Sequence, residues 1–489
     1  MTRSPEPFDD EGTYVAQAWA VEHLHALAPY TYWYDHPPLG WLLIAAVAWP
    51  LHLLGAASHA VSAGRVVVFA AQLISTVLLY ILARRMRLNH GFAASAVLLF
   101  TVSPLAVHYQ RMVLLDNLAT PFLLIAFVCA LTPRRRLWAY AGSGACLALA
   151  ALIKETSLLF VPAVTYAVWA NSDPRNRRFA TTLYGSWFVM LASFYPLYAL
   201  LKGELLQGAH HTSLEYGVRF QLLDRTSTGS VFDAHSGVRT LVQGWLMLDH
   251  ALPIAALGLL PCALAIRRLR PAGIALAVPV AMVFRPNGYI PAMFIIGMLP
   301  FGAVVVAGVL DNVWKVSTRP DRIGTRARGL VFLGPMAALA AAVAFVAYSG
   351  PTWARADSAE MTQNRASPYW RAEAWLTRHV SRRATILTDD VIWTDLVDRG
   401  FGRHRVVWFY KLDLDPAVRY RFRAGYRDFR YIVVSNLMRG IALQGIVPQT
   451  AAAIRHSRTV QTFAAYGERI EIRRITPPTR PNQEIAVTK

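Results

Sequence analysis

Long apolar runs separated by short polar connections fill the first two thirds of the chain. A bilayer core of about 30 Å takes roughly 20 apolar residues per helix. Ten stretches predict spans: 65–83, 91–108, 118–132, 137–153, 156–170, 180–201, 251–266, 272–284, 289–310 and 329–349. Alternate connections are basic, with Arg84, Arg85 and Arg87 after the first, Arg134 to Arg136 after the third, and Arg175, Arg177 and Arg178 after the fifth. The same side receives Arg267, Arg268 and Arg270, then Lys315, Arg319, Arg322, Arg326 and Arg328. Cations collect on the cytoplasmic side of membrane proteins. Residues 1–64, the turn 111–117, the loop 202–250 and everything after 350 therefore fall outside.

An outside N-terminus needs something to carry it across, and the few residues before PFDDEG offer no signal peptide. An eleventh span is expected upstream of Met1. The stretch 38–57, PLGWLLIAAVAWPLHLLGAA, is apolar enough to cross, but counting it would turn the basic loops outward. It reads as a juxtamembrane or re-entrant helix with its Trp residues at headgroup depth. After residue 350 the period changes: ATILTDD and FRYIVVSN are strand-like, and RAEAWLTRHV is helical. The expected organisation is an external segment 1–64, a transmembrane domain 65–350, a small extracytoplasmic α/β domain 351–476 and a disordered tail 477–489.

Composition agrees with the membrane reading, since 55% of the 489 residues are hydrophobic and 16% are charged. The net charge of +20 is mostly topological, because many cations sit between apolar runs and are not gathered on one polar face as a nucleic-acid binder would gather them. Cys129, Cys146 and Cys262 fall inside apolar runs, where a thiol acts as a small hydrophobe. No glycine-rich nucleotide loop is visible.

The chemistry-bearing residues stand mostly on the outer side. Asp9, Asp10 and Glu11 are consecutive, and YDHPPLGW brings Asp35 and His36 before a Pro pair that holds the backbone extended. Asp116 lies in RMVLLDN between two spans, where a helix cap competes with a functional role. Arg111, Lys154 in IKET and Arg285 in FRPNGY are cations near membrane depth, where ionisable groups are costly. Carboxylates beside cations suit glycosyl transfer from a lipid phosphate sugar. A carboxylate takes the proton of an acceptor hydroxyl, and cations stabilise the departing phosphate.

At these residues the chain resembles the polytopic glycosyltransferases of the GT-C fold, in the protein O-mannosyltransferase and aminoarabinose transferase superfamily. DDEGTY matches the Asp-Glu pair of the first external loop, HPPLG at 36–40 the mannosyltransferase signature, RMVLLDN the second-loop pattern, and Lys154 the IKET lysine. The resemblance implies a polytopic α-helical protein of the inner membrane, a polyprenyl-phosphate sugar donor, an extracytoplasmic acceptor and inversion at the anomeric carbon. It makes Asp10 the base or acceptor-orienting carboxylate with Glu11 as partner, and Asp116 a shaper of the acceptor side. His36, Lys154, Arg111 and Arg285 become ligands of the donor phosphate, whereas Asp9 is expected to be solvated. No nucleic-acid partner is implied, and the sequence commits to no metal. Asp10, Glu11 and Asp116 could surround a divalent ion if brought together, but His and Cys at zinc spacing are absent.

Two other classes stay open. A lipid or sugar transporter would have a similar number of spans but should bury its ionisable groups at the bilayer midplane. A catalytically silent GT-C-like binding protein would keep the fold and tolerate loss of Asp10.

Overall fold

The computed structural model describes residues 3–51, 53–56, 59–208, 211–318 and 333–476. The cations Arg319, Arg322, Arg326 and Arg328 and the tail 477–489 lie outside the described residues. The chain divides into two compact units, one made of Tyr32–Val47 and Arg65–Gln363, the other of Thr2–Thr31, Ala48–Gly64 and Asn364–Lys489. Two early segments thus fold with the C-terminal region, a division that hydropathy along the chain does not show.

The first unit is helical. Among the described residues, Ala60–Arg85, Arg177–Leu201 and Ala292–Ser317 are long and apolar enough to cross a membrane. The pair Gly237–Leu248 and Ala251–Ala265, bent by 107°, would make a fourth span if it crosses as one. Shorter apolar helices are Leu39–Leu51, His90–Val102, Leu115–Ala130, Leu137–Ile153 and Arg270–Val283. The stretch expected to end at 349 belongs to a helix, Leu333–Thr362, that runs through Pro351 and past the expected domain boundary. Arg177–Ala192 packs on Leu137–Ile153, which packs in turn on Leu115–Ala130. Gly144 permits the first of these contacts, because a Cβ there would meet the backbone of Tyr184. Many outward side chains are large and apolar, Leu73, Ile74, Val77, Val189 and Leu200 among them. That surface is stable facing lipid and costly facing water.

The second unit contains a five-stranded sheet: β1 Ile386–Thr388, β2 Val406–Trp408, β3 Tyr431–Val434, β4 Ser457–Ala465 and β5 Glu468–Ile475. Its order is β2-β1-β3-β5-β4. The pairs β1/β2 and β1/β3 are parallel, while β3/β5 and β4/β5 are antiparallel. Parallel strands need crossover connections, supplied here by the short helices after β1 and β2. Strands β1 and β2 are buried along their whole length, as expected of parallel strands covered on both faces. Leu387, Val407, Phe409, Ile432, Val434 and Met438 are central to the core.

The opening acids belong to this second unit and are helical. Asp9, Asp10 and Glu11 form the first turn of the helix Asp9–Leu24, where an external loop was expected. Three carboxylates suit that position because the first helical turn exposes unpaired N–H groups and the positive end of the backbone dipole. Glu11 is buried, and its Oε2 accepts from the Phe8 N–H at 3.1 Å.

Candidate active site

Three of the expected residues gather in the first unit. The helix Leu137–Ile153 stops at Lys154, whose backbone is extended, and resumes as a tight turn from Glu155 to Phe160. This break turns Lys154 and Glu155 out of a helical path and into a group with His36. Lys154 Nζ lies 3.0 Å from His36 Nε2, and His36 Nδ1 lies 3.0 Å from Glu155 Oε2. The Nδ1–H of the imidazole donates to Glu155, and Nε2 faces the lysine amine. Thr156 donates to Asp116 Oδ1 at 3.2 Å, which joins the acid of the second-loop motif to the turn carrying Lys154. Asp116 Oδ2 is buried and accepts no hydrogen bond among the described residues.

The HPPLG segment is held at both ends. The His36 carbonyl accepts from the hydroxyls of Tyr32 and of Tyr195, the latter at 3.1 Å. Tyr34 is buried with Ala199 and Leu214, so aromatic packing fixes the approach to His36. Gly40 lies against Leu115, where a Cβ would collide with the leucine side chain.

Burial works against charge on both members of the His36–Glu155 pair, and their attraction outweighs it. Burial pulls the His36 imidazole down, but the Glu155 carboxylate more than offsets this and leaves it above the usual histidine range. For Glu155, burial pushes upward, and the charges of His36 and Lys154 together hold the carboxyl well below its usual range. The arrangement sets the buried Lys154 amine and the partly exposed Glu155 carboxylate on either side of the His36 ring.

Arg111 and Arg285 stand in other groups of the same unit. Arg111 donates to the Glu360 carbonyl at 3.1 Å, and the Glu360 carboxylate pairs with His108. Arg285 donates to the Tyr289 carbonyl at 3.0 Å and lies against Gly288, whose φ of 119° closes the turn.

In the second unit, the helix bearing Asp10 and Glu11 is seated on the carboxyl end of β1. Thr13 and Tyr410 both donate to Asp390 Oδ2, the latter at 2.8 Å, and Trp19 donates to Asp398 at 2.8 Å. Gly12 is required at this contact, because a Cβ would run into the Asp390 backbone. Burial pushes the Asp390 carboxyl up to about 8 and Asp389 up to about 7. Asp9 is also raised, first by burial and then by Asp10, Asp390 and Asp389. Its Oδ1 is buried, contrary to the expectation of a solvated side chain. Sequence reading passed over Glu155, Asp389 and Asp390; the only available signals were the Glu beside the IKET lysine and the acid pair ending the strand-like ATILTDD.

Residues 35–199 match the family model of dolichyl-phosphate-mannose-protein mannosyltransferase. That stretch contains His36, Asp116, Lys154 and Glu155. No curated protein sequence matches the chain. Among solved structures, ArnT from Cupriavidus metallidurans bound to undecaprenyl phosphate is similar with a TM-score of 0.58 at 14% identity, over 98% of this chain and 95% of that one. The Archaeoglobus fulgidus oligosaccharyltransferase tethered to an acceptor peptide matches with a TM-score of 0.52 at 12% identity, over 95% and 70%. AglB from the same organism, in complex with an inhibitory peptide and a dolichol-phosphate, matches at 0.53 and 12% identity, over 92% and 68%.

Proposed function

From the premise that the chain has the GT-C fold of the polytopic glycosyltransferases, we propose that it is an inverting glycosyltransferase. It moves a sugar from a polyprenyl-phosphate donor to an extracytoplasmic acceptor hydroxyl on a cell-envelope glycan, lipid or protein. The protein spans the inner membrane several times, with its basic loops cytoplasmic and its C-terminal α/β region outside. The observation that carries this reading is the group of Lys154, His36 and Glu155, with Lys154 buried, tied through Thr156 to Asp116, within the stretch that matches the mannosyltransferase family. The similar solved proteins hold undecaprenyl phosphate in one case and dolichol-phosphate in another, which supports a lipid phosphate as the ligand class.

The reaction is a single displacement. The acceptor oxygen attacks the anomeric carbon from the face opposite the phosphate, and its proton passes to a carboxylate, assigned to Asp10 by its motif. The bond from the anomeric carbon to the phosphate oxygen breaks with its electron pair, and the freed polyprenyl phosphate gains negative charge. Lys154 and protonated His36 stabilise that charge, which is greater in the transition state than in the diester donor. Glu155 favours the protonated imidazole. Glu11 caps the helix on which Asp10 stands, and Asp116 shapes the acceptor side. Arg111 and Arg285 are assigned to the donor phosphate by sequence pattern.

The test is transfer by purified protein from a panel of polyprenyl-phosphate sugars to water and to a membrane lipid extract. Asp10→Asn should lower the rate by about 10²- to 10⁴-fold, the span typical for loss of general base catalysis. Turnover unchanged by this substitution would remove Asp10 from the mechanism. No turnover with any donor by folded protein would favour the transporter or the silent binding protein.

A further inference from the structure

A second group of chemistry-bearing side chains lies in the second unit. His59, Glu373 and Asp395 come from three separate segments, yet one ligand atom from each lies within 4.8 Å of the other two. His59 precedes the helix Ala60–Arg85, Glu373 lies on Ser367–His379, and Asp395 on Trp393–Asp398. His59 Nδ1 is 2.9 Å from Glu373 Oε2 and 3.6 Å from Asp395 Oδ2. Glu373 is fully buried and Asp395 nearly so.

The outer contacts give this group its direction. The other oxygen of Asp395, Oδ1, accepts from the Ala60 N–H at 2.7 Å. The other oxygen of Glu373, Oε1, is paired with Arg399. Asp395 is therefore held from behind by a backbone donor and Glu373 by an ion pair, and each presents its remaining oxygen toward His59. The His59 ring is oriented too, stacked on Trp370 with centroids 4.5 Å apart and planes 7° apart. Ligands aimed by outer-shell donors and by packing are the usual construction of a metal centre. An ordinary surface ion pair needs neither burial nor this aiming.

We propose that His59 Nδ1, Glu373 Oε2 and Asp395 Oδ2 form a binding site for one divalent cation of the zinc or manganese class. One nitrogen and two carboxylate oxygens suit these ions, and the 2.9 and 3.6 Å separations from His59 Nδ1 are within the range of atoms sharing an ion at about 2.0–2.2 Å. The ring binds in its neutral form with its proton on Nε2, and the two carboxylates lower the charge of the cation, Glu373 being shared between it and Arg399. Three protein ligands leave a coordination position for water. The site ties the segment before the first long helix to the C-terminal part of the unit, and its occupancy is independent of the transfer reaction proposed above.

The competing occupant is a proton, which would make His59 an imidazolium between two carboxylates. The test uses the purified full-length chain in detergent, stripped with EDTA, incubated with Zn²⁺ or Mn²⁺, desalted and assayed for metal by mass spectrometry. The expected result is about one equivalent of one of these ions per chain, lost at least tenfold in His59→Ala and retained in Asp10→Asn/Asp116→Asn. Less than about a tenth of an equivalent of either ion would overturn the proposal, as would retention in His59→Ala. If His59→Ala fails to fold, Co²⁺ added to the stripped wild-type chain decides. A visible ligand-field band that Zn²⁺ or Mn²⁺ displaces and that carries imidazole hyperfine shifts in proton NMR supports the site; absence of such a band or of those shifts overturns it.

Discussion

His36 shows how one residue's role depends on its neighbour. The imidazole lies between a lysine and a glutamate, and burial alone would keep it neutral. Glu155 reverses that balance, so the protonated ring persists to higher pH than an isolated histidine allows. Glu155→Gln removes the negative charge and lowers the His36 pKa. The alkaline limb of the pH dependence of donor KM should then move to lower pH, with little change in the acid limb. An unmoved limb would separate His36 from phosphate binding. The motif reading found His36 and Lys154 individually. It could not find their contact, because the helix break that turns Lys154 toward residue 36 is a property of packing.

At the scale of elements, the helix Asp9–Leu24 is the informative case. It carries the proposed base, and in the second unit its contacts are with the residues following β1: Gly12 against the Asp390 backbone, Thr13 on Asp390 and Trp19 on Asp398. This seat gives the C-terminal region a physical role in positioning the helix. Gly12→Ala would force a methyl group into main-chain atoms that cannot rotate away, so the helix or the strand end must shift. The expected cost is about 1–3 kcal/mol, read as a lower unfolding midpoint of the purified protein. Transfer activity should fall with it, because Asp10 is two residues from the displaced contact. A neutral effect on both would mean that the helix can move freely on β1. Several helices were legible in the sequence because apolar runs bounded by Arg clusters have few alternatives. The helical state of PFDDEG was not legible, since three acids fit a solvated loop as well as a first turn.

For the whole molecule, the proposed orientation places the loop Arg134–Arg136 in the cytoplasm and the sheet carrying Arg458 outside. With Cys129, Cys146 and Cys262 replaced by alanine, a cysteine at position 458 should react with an impermeant maleimide in intact cells. One at position 135 should react only after the membrane is opened; the reverse pattern would invert the topology. The sequence by itself determined that the chain is a membrane protein, where its apolar segments run, and which short motifs are candidates for chemistry, because hydropathy and charge act locally along the chain. Only the tertiary structure decided that residues 2–31 and 48–64 fold with the C-terminal region. It alone brought Lys154 and Glu155 to His36, and His59 to Glu373 and Asp395. Such meetings join positions more than a hundred residues apart through packing and partner choice, and no local pattern records which distant partner will win.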